Sequence, residues 1–295
     1  MLSVRPDGGN GSLMVRRRGI VLKSDRELQL MREAGRINAL ALAAAVRCVE
    51  PGVTTEELDA AAAAVLEGFG AGSAFKGYPG PYPYPAVTTT CINEELVHGI
   101  PSHRKLKRGD IVSIDCGSVV EGYVGDSAIT VGVGEISEAA QRLLETTRES
   151  LFQGIERMRP GNHTGDVGAA IQECVESHGF QVVREYAGHG VGREMHEDPQ
   201  LPNYGTPGTG LKLRAGMTIA LEPMVLAGRP ETRLLEDKWT VVSKDGKLTA
   251  HFEHSVAVTE DGPVVLTALR EEDLDDAGMG RYNVYFAGPA SAASV

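Results

Sequence analysis

Four acidic residues set in short apolar, strand-like runs, Asp115, Asp126, Glu222 and Glu253, are the residues of this chain best suited to chemistry. Ionised side chains are rarely buried without partners, so four of them in such runs imply cations held between them. Two histidines flanked by glycine or acid residues, His189 and His196, lie between the pairs in sequence. Acids and imidazoles together point to a metal-dependent active site.

A ligand set of Asp115, Asp126, His189, Glu222 and Glu253 has four hard oxygen donors and one imidazole. That is too oxygen-rich for a typical structural zinc site and favours Mn(II), Fe(II) or Co(II). Four carboxylates around one divalent ion leave excess negative charge, whereas two ions come close to neutralising them and can share bridging carboxylates. Two ions are therefore expected.

Local patterns explain why these residues should converge. Residues 111–117 read as a strand, Glu121–Gly122 as a tight turn and residues 123–133 as the returning strand of a hairpin. A turn centred there puts Asp115 opposite Ala128 and Asp126 opposite Gly117. Period-two alternation then sends both aspartates to one face. Residues 217–224 and 249–258 are expected strands carrying Glu222 and Glu253. Small Ser255 and Ala257 share the face of Glu253, and His254 points the other way into a structural role. His163, His178 and His251 have no motif support.

Further out, Ser24 with Glu27 forms a capping box, followed by Leu28, Met31, Ile37, Leu40 and Ala44 at helical spacing. Pro51–Gly52 ends that helix, and Thr54 with Glu57 opens a second one, to about Gly68. The same unit recurs: a helical pattern from Ser137 to Met158, a Pro160–Gly161 break, then a helix after Thr164. The spacing predicts an α+β fold of two similar halves facing each other, each supplying two carboxylates.

The 295 residues, 42% hydrophobic, suit one globular domain, and a net charge of −11 offers no footprint for nucleic acid. The four cysteines form no Cys-x-x-Cys pair and read as reduced core thiols. No apolar run approaches the roughly 18 residues of a membrane span, and the first 19 residues lack a signal-peptide core. A cytoplasmic enzyme is the expectation. Residues 1–19 are expected to form a flexible extension, 20–269 the folded domain and 270–295 a tail with little capacity to pack. Arg16, Arg17 and Arg18 offer a contact for an anionic partner such as ribosomal RNA, although a solvated tail is the commoner reading of so short a run.

Six ordered motifs then support a resemblance. They are Asn93-Glu-Glu-Leu-Val-His98-Gly-Ile-Pro101, Ile114-Asp115 with Gly125-Asp126, Gly188-His189-Gly-Val-Gly192, Met195-His196-Glu-Asp-Pro199, Leu221-Glu222-Pro-Met224 and Phe252-Glu253-His254. Over about Leu22 to Thr267 the chain resembles the type I methionine aminopeptidases of the pita-bread fold. The resemblance implies a dinuclear centre bridged by Asp126 and Glu253, with Asp115 on one ion and His189 and Glu222 on the other. It also implies attack by a metal-bridging hydroxide on the first peptide carbonyl, and Zn(II) as a further candidate metal. Glu222 would shuttle protons, His196 would stabilise the oxyanion and His98 would place the substrate. The methionine pocket would include Tyr84, Thr89, Met195 and Trp239, with Thr89 and Met195 standing where many relatives have Cys and Phe.

The implied substrate is a peptide N-terminus that begins with Met and has a small second residue, and the implied state is a monomer. Two other functions compete. Xaa-Pro aminopeptidases and prolidases resemble the site but usually carry a large amino-terminal domain, and only 114 residues precede Asp115 here. A metal-free binding protein on the same fold would show a substituted ligand, and all five are present. A type II enzyme would need an insertion between His196 and Glu222, which only 25 residues separate.

Overall fold

The computed structural model describes residues 19–277 and Tyr285. Two helices, α1 (Asp25–Arg47) and α2 (Thr55–Gly68), open the chain. The backbone N–H of Ser24 donates to the Glu27 carboxylate at 2.9 Å, and that of Thr54 donates to Glu57 at 2.7 Å. These bonds satisfy donors that the first helical turn leaves free. Short strands β1 (Gly72–Ser73), β2 (Thr88–Ile92) and β3 (Glu95–Val97) lead to the long hairpin β4 (Ile111–Val120) and β5 (Tyr123–Gly132).

The second half begins with α3 (Glu138–Glu156) and α4 (Thr164–Ser177), followed by β6 (Gln181–Val182), β7 (Ala187–Gly190), β8 (Glu197–Pro202), β9 (Thr218–Leu221) and β10 (Met224–Leu226). An excursion through β11 (Thr232–Leu234) and β12 (Val241–Ser243) returns as β13 (Thr249–His251), β14 (Glu253–Thr259) and β15 (Gly262–Val265), and α5 (Glu271–Ala277) comes last. An antiparallel sheet runs in the order β1-β4-β5-β14-β9-β7-β8, with β2 added on β4 and β15 on β14. Two three-stranded sheets, β13-β10-β6 and β11-β12-β3, flank it.

The repeated helix pairs pack on this sheet, α1 over β4 and β5, and α3 over strands of the second half. Each Pro-Gly break is tied to its own half in the same way. Gly52 N–H donates to Leu106 O and Gly161 N–H to Leu213 O, while Leu106 N–H and Leu213 N–H return bonds to Val53 O and Asn162 O. The duplication expected from the sequence is thus repeated in the backbone bonding. One close approach fixes α1 on the hairpin. A Cβ on Gly125 would lie 2.6 Å from the backbone nitrogen of Gly35, so helix and strand meet at this depth only through glycine.

The expected hairpin register is observed residue for residue, with Asp115 opposite Ala128 and Asp126 opposite Gly117. Glu121 and Gly122 both have positive φ, 49° and 77°, the two-residue turn whose twist matches antiparallel strands. The other two expected strands are each interrupted at the acid: β9 ends at Leu221 before Glu222–Pro223, and Phe252 separates β13 from β14. Proline lacks the N–H needed to continue the ladder, so the chain steps from one sheet to the next there.

The expected flexible extension over 1–19 and the ribosome contact through Arg16–Arg18 lie outside the described residues, apart from exposed Gly19. In the region expected to be a tail, α5 forms, and the Arg36 guanidinium pairs with Asp273 at 2.9 Å. Tyr285 is buried: its hydroxyl lies 2.7 Å from Ala128 O and 2.6 Å from Glu253 O, and its ring stacks on His254 at 4.4 Å.

Candidate metal centre

The four acids and His189 converge at the seam between the halves. Asp115 and Asp126 come from the β4–β5 hairpin, Glu253 opens β14 and His189 lies on β7. The ladders β9–β14 (Leu221 with His254) and β10–β13 (Met224 with His251) keep one register, which puts Glu222 opposite Glu253 at the break. Ser255 fastens the seam: its hydroxyl donates to Asp126 O at 2.9 Å and accepts from Asp126 N–H at 3.1 Å.

His189 Nε2 lies 3.5 Å from Glu222 Oε1 and 3.8 Å from Asp126 Oδ2. Those separations exceed a good hydrogen bond, but suit donors that share one ion at about 2.0–2.2 Å each. Its Nδ1 is 2.9 Å from Gly190 O, an arrangement that keeps the proton on Nδ1 and leaves the Nε2 lone pair facing the acids. Asp115 Oδ1, Asp126 Oδ1 and Glu253 Oε1 are buried without a hydrogen-bond partner among the described residues. Native proteins seldom tolerate such orphans, so the donor set fits cations.

Electrostatics agree. Burial pushes Asp126 up to about 7, and burial together with the neighbouring acids raises Asp115, Glu222 and Glu253 well above the usual carboxylate range. Without cations the cluster takes up protons rather than hold four charges at one place. Burial lowers His189 to about 4, so its imidazole is neutral and able to ligate.

Beside the acids, His98, His189, His196, Tyr186 and Val97 line an open cleft of about 550 Å³, within the range of small-ligand sites. His98 has φ 62°, a left-handed conformation that a non-glycine residue keeps only where its surroundings hold it there. His196 is fixed by Tyr78, whose hydroxyl is 2.8 Å from Nδ1, and its ring centre lies 4.2 Å from that of His189. Burial, then His189 and His98, depress it to about 2.

A smaller recess opens directly off the acids, and all four expected pocket residues line it: Tyr84, Thr89, Met195 and Trp239. Thr89 is there because it pairs with Asp115 across β2 and β4. The Tyr84 hydroxyl donates to Gly99 O at 2.8 Å, leaving the ring edge-on to Trp239 at 5.1 Å. Three contributors escaped the sequence reading. Phe75 and Tyr78 approach from a Pro- and Gly-rich loop without periodicity, whereas His251 lies two residues before Glu253 and was within reach of the alternation argument.

Metallopeptidase family M24 matches residues 29–260, which hold every one of these residues. The chain belongs to that family. Within family M24 it is 50% identical over 250 residues to methionine aminopeptidase 1 of Bacillus subtilis, covering 85% of this chain and all of that protein. The methionine aminopeptidase of Clostridium acetobutylicum is 49% identical over 249 residues, 84% of this chain and 98% of that one. The crystal structure of the Thermotoga maritima methionine aminopeptidase superposes with a TM-score of 0.82 at 47% identity, over 84% of this chain and 99% of that chain. The antiparallel sheet with paired outer helices is thus the family's pita-bread fold. Among the described residues, no helix is long and apolar enough to cross a membrane.

Proposed function

We propose that the chain removes the N-terminal methionine from nascent or newly made polypeptides whose second residue is small, using two divalent ions. What carries the reading is the contact between two features: an orphaned acid and imidazole cluster, and an apolar recess of four aromatic rings (Phe75, Tyr78, Tyr84 and Trp239) and Met195 opening off it. A recess of that lining suits an unbranched thioether. Identity of about 50% to methionine aminopeptidases over nearly their whole length supports the same activity.

In this reading Asp115, Asp126 and Glu253 would hold one ion, and Asp126, His189, Glu222 and Glu253 would hold the other. Oxygen-rich donors favour Mn(II), Fe(II) or Co(II), with Zn(II) accommodated. When bound, the ions lower the pKa of a water molecule and polarise the first peptide carbonyl. Glu222, at the edge of the cluster, takes the proton and passes it to the leaving amine. Tyr78, by donating to His196 Nδ1, keeps the His196 proton on Nε2, from which it donates to the developing oxyanion. His98 hydrogen-bonds the peptide and sets its first carbonyl near the acids, while the aromatic recess holds the methionine side chain and excludes water. The chain acts as a monomer in the cytoplasm, on free chains or at the ribosome.

Turnover of Met-Ala-Ser and Gly-Pro-Ser by one metal-loaded preparation tests the substrate class. Free methionine should appear from Met-Ala-Ser at a rate at least about 100-fold above glycine release from Gly-Pro-Ser. Preference for Gly-Pro-Ser would replace this reading with an Xaa-Pro hydrolase.

A further inference from the structure

His251 ends β13 two residues before Glu253, and its ring reaches the acid cluster beside Asp115, Glu222 and Glu253. It is 2% exposed, and its Nε2 has no hydrogen-bond partner among the described residues. That atom lies 3.5 Å from Glu253 Oε2 and 3.8 Å from Glu222 Oε2. The spacings repeat those of His189 Nε2 to Glu222 and Asp126, 3.5 and 3.8 Å. Both pairs are too long for a good hydrogen bond, and both match two donors sharing one ion at about 2.0–2.2 Å each.

Donor atoms of Asp115, His251 and Glu253 all lie within 4.8 Å of one another, and those of Asp126, His189 and Glu253 do the same. The cluster therefore offers two ion positions that share Glu253, each with its own imidazole. The main chain at His251 is fixed for such a role. Thr130 on β5 accepts from His251 N–H and donates to His251 O, both at 2.8 Å, and Met224 pairs with it across β10 and β13.

We infer that His251 Nε2 is a direct ligand of the ion held by Asp115 and Glu253, making this a centre with two histidines. The inference rests on the two-ion reading above. An imidazole in place of an oxygen donor moves that position away from Mn(II) and towards Fe(II), Co(II) or Zn(II). His189 and His251 thus divide between the two ions.

The test is Co(II) titration of the full-length apo-protein by calorimetry, with visible absorption recorded at each addition, for wild type, His251→Ala and His251→Gln. Gln is close to histidine in size and able to hydrogen-bond. Expected are two ions in wild type and, in both variants, one ion at wild-type affinity, a second weakened at least about 10-fold, and an altered d–d band. Two wild-type ions with an unchanged band in His251→Ala would overturn the inference alone. So would recovery of affinity and band by His251→Gln, which would make His251 a hydrogen-bond donor to the carboxylates. Wild-type protein that takes up no ion would overturn the two-ion reading together with it.

Discussion

Replacing Asp126 with asparagine is expected to weaken both ions by at least about 100-fold and to remove turnover with them. Asp126 is 1% exposed on β5, and its carboxylate lies 3.8 Å from His189 Nε2 and in one donor group with His189 and Glu253. Asparagine keeps its volume, so the substitution removes charge and one oxygen donor rather than packing. Stability should move the opposite way. Burial raises the folded pKa of Asp126 from 3.8 to about 7, so between those values the folded metal-free chain binds more protons than the unfolded chain. Metal-free stability therefore falls as pH rises through that window, and ionised Asp126 costs the fold most above about pH 7. At pH 8, after chelation, Asp126→Asn should melt at or above the wild-type temperature while failing to bind Co(II) in calorimetry. A variant that melts lower and still binds two ions would show that Asp126 is a packing residue.

His196→Ala is expected to lower kcat by about 100- to 1,000-fold with metal content and KM nearly unchanged, the signature of an oxyanion donor. The ring is close to His189, 4.2 Å between centres, yet its Nδ1 is engaged by Tyr78 and not by an acid. Burial and the two neighbouring histidines hold it neutral at any pH above about 2, so it donates as imidazole. Tyr78→Phe should reproduce part of the loss, because without that hydroxyl either ring nitrogen of His196 can carry the proton. Steady-state kinetics with metal analysis of the same samples decides the matter. Loss of bound metal from His196→Ala would make it a ligand.

The hairpin was the most legible element, since a two-residue turn at Glu121–Gly122 and strict alternation leave one register, and that register alone sets Asp115 beside Asp126. Helix limits followed from capping residues, Ser24 with Glu27 and Thr54 with Glu57, whose reach is only three positions. The second half was less legible for a physical reason. Its acids sit where strands break, Glu222 before Pro223 and Glu253 after Phe252, so alternation could be applied on only one side of each. His251 is the exception, since alternation carried through Phe252 puts it on the face of Glu253. The aromatic recess depends on contacts with no local signature: Trp239 meets Tyr84 across 155 residues, and Tyr78 reaches His196 across 118. Tyr285 was hidden likewise, since its contacts with Ala128 and Glu253 span 157 and 32 residues and leave no local signature.

The most direct test of the metal-dependent account is hydrolysis of Met-Ala-Ser by protein first stripped of ions by exhaustive chelation and then titrated with Mn(II), Fe(II) or Co(II). The stripped protein should release no methionine above background, and activity should return in step with ion occupancy. Turnover that survives complete removal of metal would contradict the account.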